Sequence, residues 1–254
     1  MDTRYWGPSG WQLLHLIASK GAPKTFWELI PFILPCKFCR ASLSEYYESL
    51  PIPTTKQDVW LYKIHNKVNA KLRSQGQTIQ PDPTQASVIE HYKNLLEQGC
   101  TKTYFPGWEF MFSIVDNHPY CSPSKPMPDA PSTVPSSLEE KNRYNLLTPN
   151  ERVRQLKAFW LELEGALPFE EWKQSWKKHS GPISKAIHNR KSGLSWLWKI
   201  RCGMETDLQQ LGNKDFHGLC KEVAKHRSGC STSARAKTCR SRPKVRSKTR
   251  RHSR

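Results

Sequence analysis

Residues 11–21 read WQLLHLIASKG, with Trp11, Leu14, His15 and Ala18 at i, i+3, i+4 and i+7 and a glycine at the end. That spacing predicts an amphipathic helix, with Gly21 as a natural stop. Working outward, Phe26, Leu29, Ile30 and Ile33 repeat the pattern until Pro35, which fits the first turn of the next helix. Cys36, Cys39, Leu43, Tyr46 and Tyr47 then resume a helical face. A further helix is expected from Asp58, an acceptable N-cap, through Tyr62, His65, Val68, Asn69 and Leu72. Another covers TQASVIEHYKNLLEQG, residues 84–99, closed by Gly99. No run of alternating residues would build a sheet, so the expected fold class is all-α, beginning with a compact helical bundle.

Beyond this bundle the composition changes. Six prolines fall between Pro119 and Pro135, interleaved with Ser, Asp and Lys, which is the composition of a linker. Thr148, Pro149 and Glu151 then form a capping-box start, and Trp160, Trp172, Trp176, Trp196 and Trp198 are expected to fill a second helical core. The net charge of +18 is concentrated at the end, where RAKTCRSRPKVRSKTRRHSR carries ten Lys or Arg and no acid. Such a segment buries too little apolar surface to offset its ordering entropy and is expected to be disordered. The expected division is a first domain over 1–118, a Pro-rich linker over 119–145, a helical Trp-rich domain over 146–228 and a basic tail over 229–254. The tail suits solubility, a targeting signal or salt-sensitive contact with nucleic acid. No apolar stretch approaches the roughly 18–20 residues of a membrane-spanning helix, and the N-terminus lacks the order of a signal peptide. A cytoplasmic protein without a membrane span is expected, whose eight cysteines serve as redox groups or metal ligands rather than as a disulfide scaffold.

The chemistry centres on Cys36-Lys37-Phe38-Cys39, preceded by Pro35. Two sulfurs at i and i+3 in a first helical turn approach disulfide distance, and the unpaired N–H groups there favour a thiolate. Alone, a CxxC is also half of a zinc site, part of a thioredoxin-like fold, or incidental. The thioredoxin option needs a βαβ context that flanking helices do not supply. Its company narrows the choice. Trp6-Gly7, Trp11 and His15 stand upstream, and His65-Asn66-Lys67-Val68-Asn69 stands downstream. On one helix His65 lies beside Val68 and Asn69, a face suited to a planar heteroaromatic ligand. Near the C-terminus, His217, Cys220, His226 and Cys230 approximate a zinc pattern, but their basic neighbours disfavour a dication, and no metal is expected.

Together WGxxxWxxLH, PCxxC and HNxVNxxL resemble the Erv/ALR family of FAD-linked sulfhydryl oxidases over about residues 4–95. With FPGWEFMF following, the chain looks most like the versions carried by large cytoplasmic DNA viruses, a resemblance that places it in the host cytoplasm and the virion. The resemblance implies a four-helix bundle plus a short fifth helix that clasps FAD, and a homodimer. It implies that Cys39 is the flavin-proximal sulfur and Cys36 the more accessible one. Trp11 and His15 would line the isoalloxazine end, His65, Asn66 and Asn69 the adenine end, and Tyr92 would stack on a ring. The implied reaction is 2 RSH + O₂ giving RSSR + H₂O₂, with thiol-containing proteins as substrates and a thioredoxin-like carrier among them.

The chain also departs from the family's pattern. Where relatives carry a Gly-Lys pair it has Arg73-Ser74, leaving Lys71 or Arg73 for a phosphate contact. The family's second disulfide has its nearest candidate in Cys100 with Cys121, and a shuttle pair would come from Cys220, Cys230 and Cys239. Cys202 has no obvious partner. The alternative to an enzyme is a nucleic-acid-binding or virion-structural protein built on an inactive oxidase-like scaffold.

Overall fold

A computed structural model describes residues 1–100, 104–121, 125–210, 212 and 215–227. The described residues form an all-α structure. The first half contains α1 (Thr3–Lys20), α2 (Lys24–Ile33), α3 (Lys37–Ser49), α4 (Gln57–Ser74) and α5 (Gln85–Glu97), followed by the short α6 (Trp108–Asp116). Asp2 caps α1 by accepting from the Arg4 N–H, and Gly21 ends it at φ +87°. Thr84 caps α5, and Gly99 follows its end at φ +79°. The pattern interrupted at Pro35 yields two separate helices. Pro35 stands one residue ahead of the N-cap, Cys36, rather than inside the first turn of α3. The helix expected from Asp58 starts at Gln57, after Lys56 in a left-handed conformation, and Asp58 lies in its first turn.

The second half contains α7 (Leu138–Arg143), α8 (Pro149–Ala166), α9 (Glu170–Ser180), α10 (Ile183–Ala186), α11 (Arg190–Asp207) and α12 (Phe216–Lys225). The Thr148/Glu151 capping box is present. Trp160, Trp172, Trp176 and Trp196 are buried, while Trp198 is partly buried against Phe216. Both halves feed one continuous hydrophobic core, because α8 packs along α2 and α6 lies between α1 and α11. Gly107 makes the turn into α6 possible: its φ is +108°, and a Cβ there would come within 2.7 Å of Leu13.

The Pro-rich stretch 119–145 contains α7, which docks on α3 rather than hanging as a spacer. Asn142 is buried and donates to the Pro31 carbonyl (3.1 Å) and the Ser44 hydroxyl (3.2 Å). Arg143 reaches Glu45 and Glu48 on α3. Among the described residues Cys121 is an exposed free thiol, so the expected Cys100–Cys121 staple is absent. Burial of nearly the whole of α6 holds this segment instead. Cys220 and His217 lie on α12; Cys230, Cys239 and the basic tail fall outside the described residues. His226 stacks on Tyr5 at 4.1 Å and contacts Glu222. No group of three His, Cys, Asp or Glu side chains among the described residues is arranged to hold a metal. No described helix is long and apolar enough to cross a membrane.

One buried amide ties the start of the bundle together. Gln57 accepts from the Ala22 N–H and the Trp27 indole N–H, both at 2.8 Å, and donates to the Ala22 carbonyl at 2.8 Å. Gln57→Ala leaves these three buried groups without partners and is expected to destabilise the fold by about 3 kcal/mol in urea denaturation. A loss below about 1 kcal/mol would show that the link between α1 and α2 does not depend on this amide.

Candidate active site

Cys36 occupies the position that Ser, Thr, Asp or Asn usually takes at a helix start. Its sulfur accepts from the Cys39 backbone N–H at 3.4 Å, and its carbonyl accepts from the Arg40 N–H at 3.0 Å. The pair therefore sits where the unsatisfied N–H groups of α3 favour negative charge. Cys36 is 2% exposed and Cys39 half-buried, the reverse of the expected order of accessibility. The cause is twofold: the Cys36 sulfur turns inward to cap the helix, and Lys37 beside it donates to the Lys125 carbonyl (3.0 Å) of the segment docked outside.

Cys39 opens instead onto a cleft of about 590 Å³ between α1, α3, α4 and α5, a volume within the ordinary range for cofactor sites. Trp11, His65, Asn69 and Tyr92 line the same cleft. Asn66 and His15 line a smaller adjoining recess of about 290 Å³, which His65, Asn69 and Tyr92 share. Trp11 stacks on His65 with centroids 3.9 Å apart, and His15 stacks on Tyr92 at 4.9 Å. His15 Nε2 and His65 Nδ1 meet at 3.2 Å.

The residues expected at two ends of a cofactor are adjacent to one another. Trp11 and His15 are one turn apart, about 6 Å along the axis, and both touch His65 on the facing helix. They form one aromatic block, with His15, 3% exposed, behind it as a support. Burial pushes His15 down to about 3, and the neighbouring His65 adds to the effect. Burial likewise lowers His65 to about 4. Both imidazoles are thus neutral at pH 7, so that one ring nitrogen can donate and the other accept.

Of the two candidate phosphate contacts, Arg73 is already engaged. It makes two bonds to the Asp82 carboxylate (2.8 and 2.7 Å) and one to the Gln80 carbonyl, and its hydrogen bond is the main cause that holds Asp82 down to about 2. Asn69 also donates to Asp82, at 2.7 Å. Lys71, in contrast, lines the cleft and donates to the Ser42 hydroxyl on its wall. Two cleft residues escaped the sequence analysis as ligand-binding groups. The Trp6 indole N–H and the Gln75 side-chain oxygen are buried without a hydrogen-bond partner among the described residues, and both side chains line the cleft. A buried unpaired donor and acceptor carry a free-energy cost that a polar ligand relieves. With the aromatic block, they fit a planar heteroaromatic cofactor that carries polar groups, as FAD does. The Trp6-Gly7 pair hinted at the first of them; no local signal marks Gln75.

Residues 8–86 match the Erv1 / Alr family. The matched segment contains the CxxC, the Trp11/His15 turn and the His65–Asn69 face; Tyr92 and everything from α6 onward lie beyond it. The chain is similar to the mitochondrial FAD-linked sulfhydryl oxidase ERV1 of Saccharomyces cerevisiae, with 33% identity over 85 residues, covering 28% of this chain and 45% of the yeast protein. It thus spans less than half the length of that relative. No solved structure matches the chain.

The neutral histidine pair makes a checkable statement about acid. In the unfolded chain both histidines titrate near 6.5; with their folded values depressed, protonation below that pH favours unfolding. The stability the pair confers is therefore complete above about pH 6.5 and is lost as pH falls toward 4 and 3. NMR of the imidazole carbon-bound protons should show no titration of His15 or His65 between pH 8 and 5.5. A midpoint near 6.5 for either would mean that the stack is open to water.

Proposed function

We propose that the chain is a FAD-dependent thiol oxidase, forming disulfides in protein substrates with O₂ as acceptor: 2 RSH + O₂ → RSSR + H₂O₂. The observation that carries this reading is the placement of Cys39, which faces the same cleft as the Trp11/His65/Tyr92 block while pairing in sequence with Cys36 at the head of α3. The match to the Erv1 / Alr family over these residues supports it.

In this reading, Cys36 and Cys39 accept two electrons from a substrate dithiol by thiol–disulfide exchange, and the N-terminus of α3 stabilises the thiolates that exchange requires. Bound FAD supplies the two-electron step to O₂ that thiols make only slowly. Trp11, His65 and Tyr92 would hold its rings, Asn66 and Asn69 would contact its adenine end, Trp6 and Gln75 would meet its polar groups, and Lys71 would balance its phosphates. Neutral histidines suit stacking better than charged ones because no buried cation has to be desolvated. Homodimer formation, kinship with the oxidases of large DNA viruses, and a place in the host cytoplasm and virion extend this reading on the sequence resemblance alone.

Purified full-length chain is expected to bind FAD non-covalently and to consume oxygen with dithiothreitol. Cys36→Ser and Cys39→Ser should each abolish turnover with the fold intact, because two-electron exchange needs both sulfurs. Near wild-type turnover by either variant, or no flavin band after reconstitution, would overturn the proposal. Lys71→Met should weaken FAD binding roughly tenfold while Arg73→Met, whose side chain is held by Asp82, should change it far less; the opposite ranking would reassign the phosphate contact.

A further inference from the structure

Arg40 is 2% exposed, and no carboxylate among the described residues pairs with it. A buried guanidinium without a counter-charge is costly and calls for a compensating group. Its side chain folds back beneath the turn that holds the cysteines and donates to the Leu34 carbonyl at 2.8 Å, two residues ahead of Cys36. A second donor goes to the Asn145 side-chain oxygen at 2.8 Å. Asn145, left-handed at φ +56°, in turn donates to the Lys125 carbonyl (2.9 Å), the same oxygen that receives Lys37. The segment around residues 125–145 therefore grips both the outer rim of the CxxC turn and the guanidinium beneath it.

We infer that Arg40, held in place by Asn145, is a positioning residue of the Cys36–Cys39 pair: its charge stabilises the thiolates of the reduced pair, and the segment outside the Erv1 / Alr match completes the redox centre. This inference rests on the thiol-oxidase reading for its purpose, though not for its electrostatics. Burial lowers Arg40 from the usual arginine range, and the groups that favour its charge are Cys36 and Cys39 in their ionised forms. Arg152 on α8, pushed down to about 9 by burial, feels the positive charge of Arg40 as repulsion. The surroundings otherwise hold Lys37 and Tyr46 on α3 itself and Lys71 from α4. The carboxylates of Glu45 and Glu48 are drawn off to Arg143 from α7. The sulfurs are thus the groups best placed to neutralise Arg40, and they do so only when reduced and ionised.

The test uses the reduced full-length chain without added flavin, following alkylation of Cys39 by iodoacetamide against pH with peptide mass spectrometry. Arg40→Met should move the profile up by about one pH unit, so that at a pH below the midpoint the rate falls about tenfold. Asn145→Ala, which leaves the charge in place but unanchored, should move it in the same direction by a smaller amount. Arg40→Lys should recover most of the shift. Thermal melts report whether each variant folds; if Arg40→Met does not, Asn145→Ala decides. Profiles of Arg40→Met and Asn145→Ala that superimpose on the parent's, in whichever of the two folds, would overturn the inference and leave Arg40 as a clamp on the Leu34 turn. Because the assay needs neither flavin nor oxygen, its outcome is separable from that of the proposed oxidase activity: a shifted profile in a chain that binds no FAD would retain Arg40's role and remove the oxidase.

Discussion

The Cys39 N–H donates to the sulfur of Cys36, and through that contact the start of α3 fixes where both sulfurs stand. A hydroxyl or carboxylate cap would start the helix equally well, so the sulfur is there for more than capping. Much of the surrounding architecture can be derived from keeping this turn in place. Pro35 ends any continuation from α2, Arg40 braces the turn from below, and the stretch from Lys125 to Asn145 braces it from outside. The cost of this arrangement is access, since the cap contact that orders Cys36 also turns its sulfur away from solvent.

Opposite the sulfurs, the cleft wall is built from rings rather than charges. The contact between His15 and His65 needs one neutral ring to accept, and burial keeps both neutral without a carboxylate partner. The cations of this region are placed at its margins instead: Lys71 on the wall at Ser42, Arg73 outside it in the grip of Asp82. A strongly basic chain thus keeps a nearly uncharged aromatic surface, which is the property a flat, partly apolar ligand needs.

Local patterns announced what local physics decides. The Thr148/Glu151 cap, the glycine stops at 21 and 99, the CxxC at a helix start and the tryptophan core all depend on residues within a turn or two of one another. What stayed hidden involves partners far apart in sequence. Proline and serine in 119–135 report that regular hydrogen bonding is unavailable there; they do not report whether the chain docks. Docking is done by Asn142, Arg143 and Asn145, about a hundred residues from the groups they meet. The contact of Trp11 and His15 with His65 stayed hidden for a similar reason, since helical spacing fixes which residues share a face but not which helix that face meets. Arg73 and Lys71 were equivalent as sequence; only the position of Asp82 separates them.

Asp116, buried at the end of α6, binds both Arg190 from α11 and Arg227 after α12, while the Asp2 N–H donates to the His226 carbonyl at 2.8 Å. The last described residues are thereby pinned beside the first, and Thr3 and Arg4 belong to the rim of the cleft. Anything that releases Arg227 from Asp116 therefore also loosens the hold on Asp2 and, with it, the rim of the cleft, so that the mouth of the site and the carboxyl-terminal anchorage act as one mechanical unit.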